Sequence, residues 1–120
     1  MNKKKYKGKI GYCSAKTLGM SKGHYVYIRD VLGNGRCNVN IFTSLEEVRD
    51  NRRYFSFDKI DKVRKGYLYP VPKRDLSLPL WSAINLDGNI NNVKISDIKH
   101  IGKEKMKSRH NFFVGKFTKK

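Results

Sequence analysis

The sequence predicts a small, mostly β domain built from antiparallel strands. Short segments rich in β-branched and aromatic residues alternate with period two, Gly and Asn turn signals separate them, and no long stretch has a helical period. A chain of 120 residues fits one domain with a modest core. We expect a single β-barrel domain at residues 10–105, with a basic flexible arm at residues 1–9 and a basic C-terminal tail at residues 106–120.

The clearest element is a β-hairpin with strands at residues 25–31 and 37–42. The turn between them, at residues 33–35, is Gly-Asn-Gly, which tolerates the positive φ that tight hairpins need. Alternation places an apolar set on one face, which we expect to form the core: Val26, Ile28, Cys37, Val39 and Ile41. The other face is expected to meet solvent and carries Tyr25, Tyr27, Arg29, Arg36, Asn38 and Asn40.

The segment after the hairpin has a helix start signal. Ser44 and Glu47 have capping-box spacing, which predicts a short helix that ends at about Arg53. Residues 55–57 then predict a short strand, and residues 58–65 predict a turn.

The second half of the chain contains two more strand signals. Residues 67–72 predict an extended strand, and Pro70 restricts it to a sheet edge because proline has no N–H to donate. Residues 76–84 predict a packed loop, residues 85–89 a second turn and residues 93–98 a last strand. Together with one or two short helices, these elements suit a small SH3-like or OB-like antiparallel barrel.

The charge of the chain predicts a polyanionic partner. Lys and Arg number 27 against 10 Asp and Glu, which gives a net charge of +17. Nucleic acid is the commonest partner for such a domain, and an acidic protein is the alternative. We expect no membrane contact, because no segment has the amphipathic helical stripe that surface binding uses. The oligomeric state, including a homodimer, stays open.

Several function classes lack support in the sequence. The Lys-rich start has no apolar run and nothing reaches transmembrane length, so we expect a cytoplasmic protein. The two cysteines and three histidines have no metal-ligand spacing, so we expect no metal and no cofactor. No G-x-x-x-x-G-K-[ST] motif indicates nucleotide hydrolysis.

Aromatic and basic side chains on the hairpin are candidates for nucleic-acid binding. Tyr25, Tyr27 and Arg29 are expected to form a stacking face, with RNA favoured over DNA. Further cations are expected to contact phosphates: Lys22, Arg36, Lys73 and Arg74. If both hairpin faces are buried, the next stacking candidates are Tyr67, Tyr69 and Trp81.

Two segments of the chain resemble a known family. Residues 41–45, Ile-Phe-Thr-Ser-Leu, and the late strand at residues 92–101 resemble the PemK/MazF-like toxins, which are SH3-like barrels. The resemblance spans roughly residues 22–105 and implies a metal-independent endoribonuclease that cleaves single-stranded RNA, with an antitoxin as an acidic partner. Thr43 would match the family's catalytic threonine, and Lys22-Gly23-His24 would stand in place of its Arg-Pro pair.

The sequence leaves two main functional hypotheses. A ribonuclease needs a base for the 2′-hydroxyl and stabilisation of the charged phosphate, and His24, Arg29 and Thr43 are expected near one end of the hairpin. A non-catalytic RNA-binding module needs only the stacking face and the cations. The missing Arg-Pro pair favours the binding module, and an interaction protein whose tails fold on a partner is a third alternative.

Overall fold

A computed structural model of the chain describes residues 3–71, 81–103 and 105–119. The predicted mostly β class is confirmed, with an antiparallel sheet and several short helices. Five strands form the main sheet in the order β1-β2-β3-β7-β6, and two form a separate hairpin. The main-sheet strands are β1 (Ile10–Cys13), β2 (His24–Val31), β3 (Arg36–Ser44), β6 (Leu68–Pro70) and β7 (Ser82–Lys94). The separate hairpin consists of β4 (Glu46–Arg49) and β5 (Arg52–Phe55).

The helices are short and lie at the ends and in the connections. They are α1 (Lys3–Tyr6), α2 (Ala15–Leu18), α3 (Phe57–Arg64) and α4 (Ser108–Phe117), and a 3₁₀ turn covers Ile95–Asp97. Among the helices of the described residues, none is long and apolar enough to cross a bilayer. Within the same residues the strand pairing gives an open row of five strands and does not close from β6 back to β1.

The predicted β-hairpin is confirmed as β2 and β3. Their antiparallel register pairs Val26 with Ile41 and Ile28 with Val39, and a bulge follows Ile28. The five apolar residues predicted for one face all lie in one buried cluster, which also contains Ile95 and Ile98 from the segment after β7. The alternation of the sequence therefore identified this core face correctly, because the side chains of a strand point to opposite faces in turn.

The opposite face of the hairpin is covered by α4, so the prediction that it meets solvent is wrong for its central residues. Tyr27 is 1% exposed and Arg29 is 3% exposed. The tyrosine hydroxyl donates to Oδ1 of Asn111 in α4, and Tyr27 shares a second buried cluster with Val114 of that helix. Within the basic tail predicted at residues 106–120, Ser108–Phe117 thus form a packed helix, because apolar side chains of this segment complete the cluster.

The N-terminal arm also contacts the folded body. Gly8 N–H donates to the Ile28 carbonyl at 2.8 Å, and Met106 N–H donates to the Gly8 carbonyl at 2.8 Å. The predicted boundaries at residues 9 and 106 therefore do not separate free arms from a domain, since backbone hydrogen bonds join both terminal segments to the sheet or to each other.

The segment after Ser44 forms a hairpin, not the predicted helix. Asp50 and Asn51 have φ of 51° and 63°, as in the two-residue turns that match strand twist. Asp and Asn tolerate this left-handed conformation better than most residues. The capping signal misled because the Ser44 hydroxyl accepts from the Glu46 N–H at 3.2 Å, which closes a turn and does not start a helix.

Two predicted turns need correction, and one predicted strand position is confirmed. The predicted turn at residues 58–65 is the helix α3, whose N-cap Ser56 accepts from the Lys59 N–H. The predicted turn at residues 85–89 lies inside β7, where Gly88 allows close packing: a Cβ there would lie 2.5 Å from Ile41 Cγ1. The edge position expected for the Pro70 strand is confirmed, because β6 ends the sheet.

Candidate nucleic-acid interface

The open end of the hairpin contains a pocket, here called the His24 pocket, with a volume of about 290 Å³. The register that pairs Val26 with Ile41 brings the start of β2 beside the end of β3. Several polar side chains consequently line one space: Lys22, His24, Tyr25, Thr43, Ser44 and Lys59. The structure thus brings together four residues that the sequence singled out, namely Lys22, His24, Tyr25 and Thr43.

An aromatic pair forms one wall of the His24 pocket. The Tyr12 and Tyr25 rings meet edge to face, with centroids 5.4 Å apart and planes at 71°. Tyr25 keeps 40% of its surface exposed, so a face of its ring is available to a ligand. Gly23 makes this arrangement possible, since a Cβ there would lie 2.1 Å from the Tyr12 hydroxyl oxygen.

A second pocket, here called the Tyr67 pocket, adjoins the first and has a volume of about 310 Å³. Thr43 and Lys59 line both pockets, so the two are neighbours, and together they are here called the cleft. The Tyr67 pocket adds Lys62, Tyr67, Leu68, Asn85 and Asp87. The chain reaches these positions through α3, which follows the β4–β5 hairpin and leads into β6.

The polar groups of the His24 pocket differ in their availability to a ligand. The Ser44 hydroxyl is engaged, since it donates to the Glu46 carbonyl at 2.9 Å. Within the described residues, no hydrogen bond engages the Thr43 hydroxyl or the His24 ring. Lys22 is exposed and makes no ion pair with the described acidic side chains. The pocket therefore offers two cations, an imidazole and a hydroxyl to a ligand.

Tyr27 and Arg29, two predicted contact residues, do not reach the cleft. Arg29 donates through Nη1 to Asn40 Oδ1 at 2.7 Å and through Nε to Asp30 Oδ2 at 3.1 Å. Asn40 in turn donates to the Thr118 hydroxyl at 3.0 Å. Arg29 also lies roughly 17 Å along β2 from His24, at about 3.3 Å per residue. The prediction that Arg29 joins His24 and Thr43 at one end of the hairpin is therefore wrong.

The burial of Tyr27 changes its acidity. Removal from water, and then the negative charge of Asp30, raise the pKa of the Tyr27 phenol above its usual value, while Arg29 partly opposes this. Burial likewise raises the pKa of the Cys37 thiol to about 12, and the neighbouring Cys13 adds to the effect. Both groups stay protonated at physiological pH and are buried, so they act as packing elements and are out of reach of a ligand.

The other predicted cations lie away from the cleft or outside the described residues. Arg36 is at the turn end of the hairpin, where its Nη1 donates to the Asn92 carbonyl at 2.9 Å. Lys73 and Arg74 lie outside the residues that the structure describes. Tyr69 is already occupied, because its hydroxyl is 2.7 Å from His110 Nδ1 and its ring stacks on Phe113.

Sequence reasoning missed part of the cleft. Lys59 and Lys62 lie in a segment that was predicted as a turn, although their spacing of three residues is the signal of a shared helix face. Asp87 lies in a segment that is predicted as a turn, so the sequence does not indicate that it lines a cleft. In the structure this segment is part of β7. Tyr67 was named as an alternative stacking residue, and it alone among the three alternatives lines the cleft.

No match is found when the chain is compared with protein-family models, with curated proteins and with solved structures. The resemblance to PemK/MazF-like toxins therefore stays a prediction that rests on residues 41–45 and 92–101. In the described part of the chain, no group of three or more His, Cys, Asp or Glu side chains is placed to hold a metal ion.

Proposed function

We propose that this protein is a cytoplasmic RNA-binding protein that holds single-stranded RNA in the cleft formed by the His24 and Tyr67 pockets. The observation that supports this most is the convergence of Lys22, Tyr25 and Lys59 on one open space in a chain with a net charge of +17. Lysine ammonium groups attract phosphates, and an exposed tyrosine ring stacks on a base.

RNA fits this cleft better than DNA. The Thr43 hydroxyl and the His24 ring lie beside the cations and can donate to and accept from a ribose 2′-hydroxyl, the group that distinguishes RNA from DNA. Each pocket is near the lower end of the volumes typical of ligand sites, about 300–1,000 Å³, so each suits one nucleotide at a time.

Fluorescence anisotropy with a labelled single-stranded RNA tests this proposal. We expect binding at 50 mM salt that weakens steeply towards 200 mM, because phosphate contacts release counterions. A DNA oligomer of the same sequence should bind more weakly. An affinity that is undetectable at low salt, or that does not change with salt, would contradict the proposal.

The second candidate function is metal-independent RNA cleavage, and the shared pocket of His24 and Thr43 favours it. In this reaction the 2′-oxygen attacks the adjacent phosphorus, the bond to the 5′-oxygen breaks, and a cyclic phosphate and a 5′-hydroxyl form. His24 would take the 2′-proton, water would give a proton to the departing 5′-oxygen, and Lys22 or Lys59 would stabilise the negative charge of the phosphorane.

Incubation of labelled RNA with the protein in excess chelator separates the two candidates. A ribonuclease gives discrete fragments, and His24→Ala or Thr43→Ala abolishes them while RNA binding persists. A binding module gives intact RNA. Light scattering of the purified protein, alone and with an acidic protein such as an antitoxin, tests whether the chain forms a homodimer and whether it binds such a partner.

A further inference from the structure

The Tyr67 pocket combines three features that a site for one nucleotide needs. Lys59 and Lys62 provide positive charge, Tyr67 provides an aromatic ring that is 41% exposed, and Asn85 and Asp87 provide hydrogen-bonding groups. None of these features depends on His24, although the pocket shares Thr43 and Lys59 with the His24 pocket.

Tyr67 is held firmly at the mouth of this pocket by backbone hydrogen bonds. Its N–H donates to the Lys62 carbonyl at 2.9 Å, and its carbonyl accepts from the Leu86 N–H at 3.0 Å. These bonds connect it to both α3 and β7. The Lys119 ammonium lies 5.5 Å from the centroid of its ring. The backbone of Tyr67 is therefore fixed beside the pocket, and the residue stays 41% exposed, which leaves ring surface on which a base can stack.

Asp87 is an unusual residue for an anion-binding cleft. Only 10 of the 120 residues are acidic, and the Lys62 ammonium of this pocket pairs with Asp58 at 3.6 Å instead. In the ranges that the structure describes, the Asp87 carboxylate makes no ion pair and no hydrogen bond. A free carboxylate repels phosphate, so its position here suits a ligand that brings N–H donors.

The backbone at Asp87, whose side chain is exposed and lines the Tyr67 pocket, is held by a local hydrogen bond. The Asp87 N–H donates to the Asn85 side-chain oxygen at 2.9 Å, within the strand β7. A carboxylate with two free oxygens matches a base edge that carries two adjacent donors. Guanine offers such an edge through N1–H and its 2-amino group. Uracil offers a single N3–H between two carbonyl oxygens, and those oxygens are repelled by a carboxylate.

We propose that the Tyr67 pocket is a base-selective subsite for a guanine nucleotide, in which Tyr67 stacks on the base, Asp87 accepts from its Watson–Crick edge and Lys59 and Lys62 contact its phosphate. This inference rests on the proposed function, because it names the nucleotide that the RNA-binding cleft prefers. It extends that function from general attraction of RNA to selection of one base.

Two labelled RNA heptamers test the inference in the full-length protein: one of seven uridines, and one with guanosine at the central position. We expect the guanosine heptamer to bind about 5- to 150-fold more tightly, the range of one bidentate base contact. Asp87→Asn should reduce this ratio to within about twofold of unity, because an amide cannot accept through both of its polar atoms.

Asp58→Asn is the matched control. It removes the same charge from the same region, but Asp58 does not line the pocket, so the ratio should stay as in the original protein. Tyr67→Ala should weaken binding of the guanosine heptamer about 5- to 150-fold through lost stacking. Circular dichroism of each variant verifies that the fold is retained.

The outcomes distinguish the two proposals. If both heptamers bind with equal affinity, or if Asp87→Asn leaves the preference unchanged, the guanine subsite is overturned and RNA binding by the cleft stands. If Asp58→Asn abolishes the preference as fully as Asp87→Asn, general charge explains it and the subsite is overturned. If neither heptamer binds at 50 mM salt, the proposed function fails and the subsite fails with it.

Discussion

The middle of the β2–β3 hairpin and its open end have similar side chains but opposite environments. Tyr27 in the middle is 1% exposed, whereas Tyr25, on the same strand and the same side, is 40% exposed. The difference arises because α4 packs on Tyr27 in the middle, whereas the residues that line the pocket at the open end, as far as the structure describes them, come from other elements. Asn111 and Thr118 supply hydrogen bonds to the polar groups that α4 buries, so tyrosine and asparagine are accommodated there without loss of pairing.

This comparison shows that polar composition does not identify a binding face. A polar side chain on a strand is equally suited to water, to a ligand or to a partner on another element of the same chain. For Tyr27 the helix α4 determines which of these environments applies. This helix begins at Ser108, 81 residues after Tyr27.

The largest expected effect comes from removal of the covering helix. A chain that ends after Met106 loses the buried side chains of α4 and leaves Tyr27, Arg29 and Asn40 exposed to water. We expect the thermal unfolding midpoint to fall by more than about 10 °C, or the cooperative transition to disappear. A truncated chain that unfolds within about 3 °C of the full chain would show that α4 does not stabilise the sheet.

Alanine at each of the two tyrosines gives the next largest contrast. Tyr27→Ala should destabilise the fold by about 3–5 kcal/mol in urea unfolding, because it leaves a cavity and deprives Asn111 of its partner. Tyr25→Ala should change stability by less than about 1 kcal/mol, yet it should weaken RNA binding by about 1–3 kcal/mol. The reverse pattern would mean that the middle of the hairpin is the binding surface.

Alkaline pH should lower the stability of the fold through buried groups on both faces of the hairpin. The folded state raises the pKa of Tyr27 and Cys37, so both remain protonated after the same groups have ionised in the unfolded chain. The stability that they contribute is complete below about pH 8 and is lost as the pH rises from about 9 towards 12. The urea midpoint should therefore fall between pH 8 and pH 10.5, and it should fall less in Tyr27→Phe, which has no phenol to ionise.

The smallest expected effect distinguishes two cations of the same hairpin. Lys22→Gln should lower the slope of log affinity against log salt by about 0.7 for single-stranded RNA, the value of one phosphate contact. Arg36→Gln removes an equal charge at the far end, where the arginine bonds to the Asn92 carbonyl, and should leave the slope unchanged. Equal changes in both variants would indicate diffuse attraction without a defined cleft.

Local pattern in the sequence determined much of the fold. Period-two alternation fixed the core face of the hairpin, since Val26, Ile28 and Val39 are all fully buried in one cluster. The missing N–H of Pro70 fixed β6 at the sheet edge. An antiparallel pair brings its two ends together, which predicted that His24 and Thr43 lie near each other, and both line one pocket.

Only the tertiary structure decided what covers each face and what completes the cleft. The burial of Tyr27 and Arg29 depends on α4, and the contribution of Lys59 and Asp87 depends on α3 and β7, which are far apart in sequence. These placements arise from packing between distant segments, where apolar burial and hydrogen-bond satisfaction are optimised jointly. Short-range periodicity in the sequence does not predict such contacts, because it gives only the direction of each side chain relative to its own strand or helix.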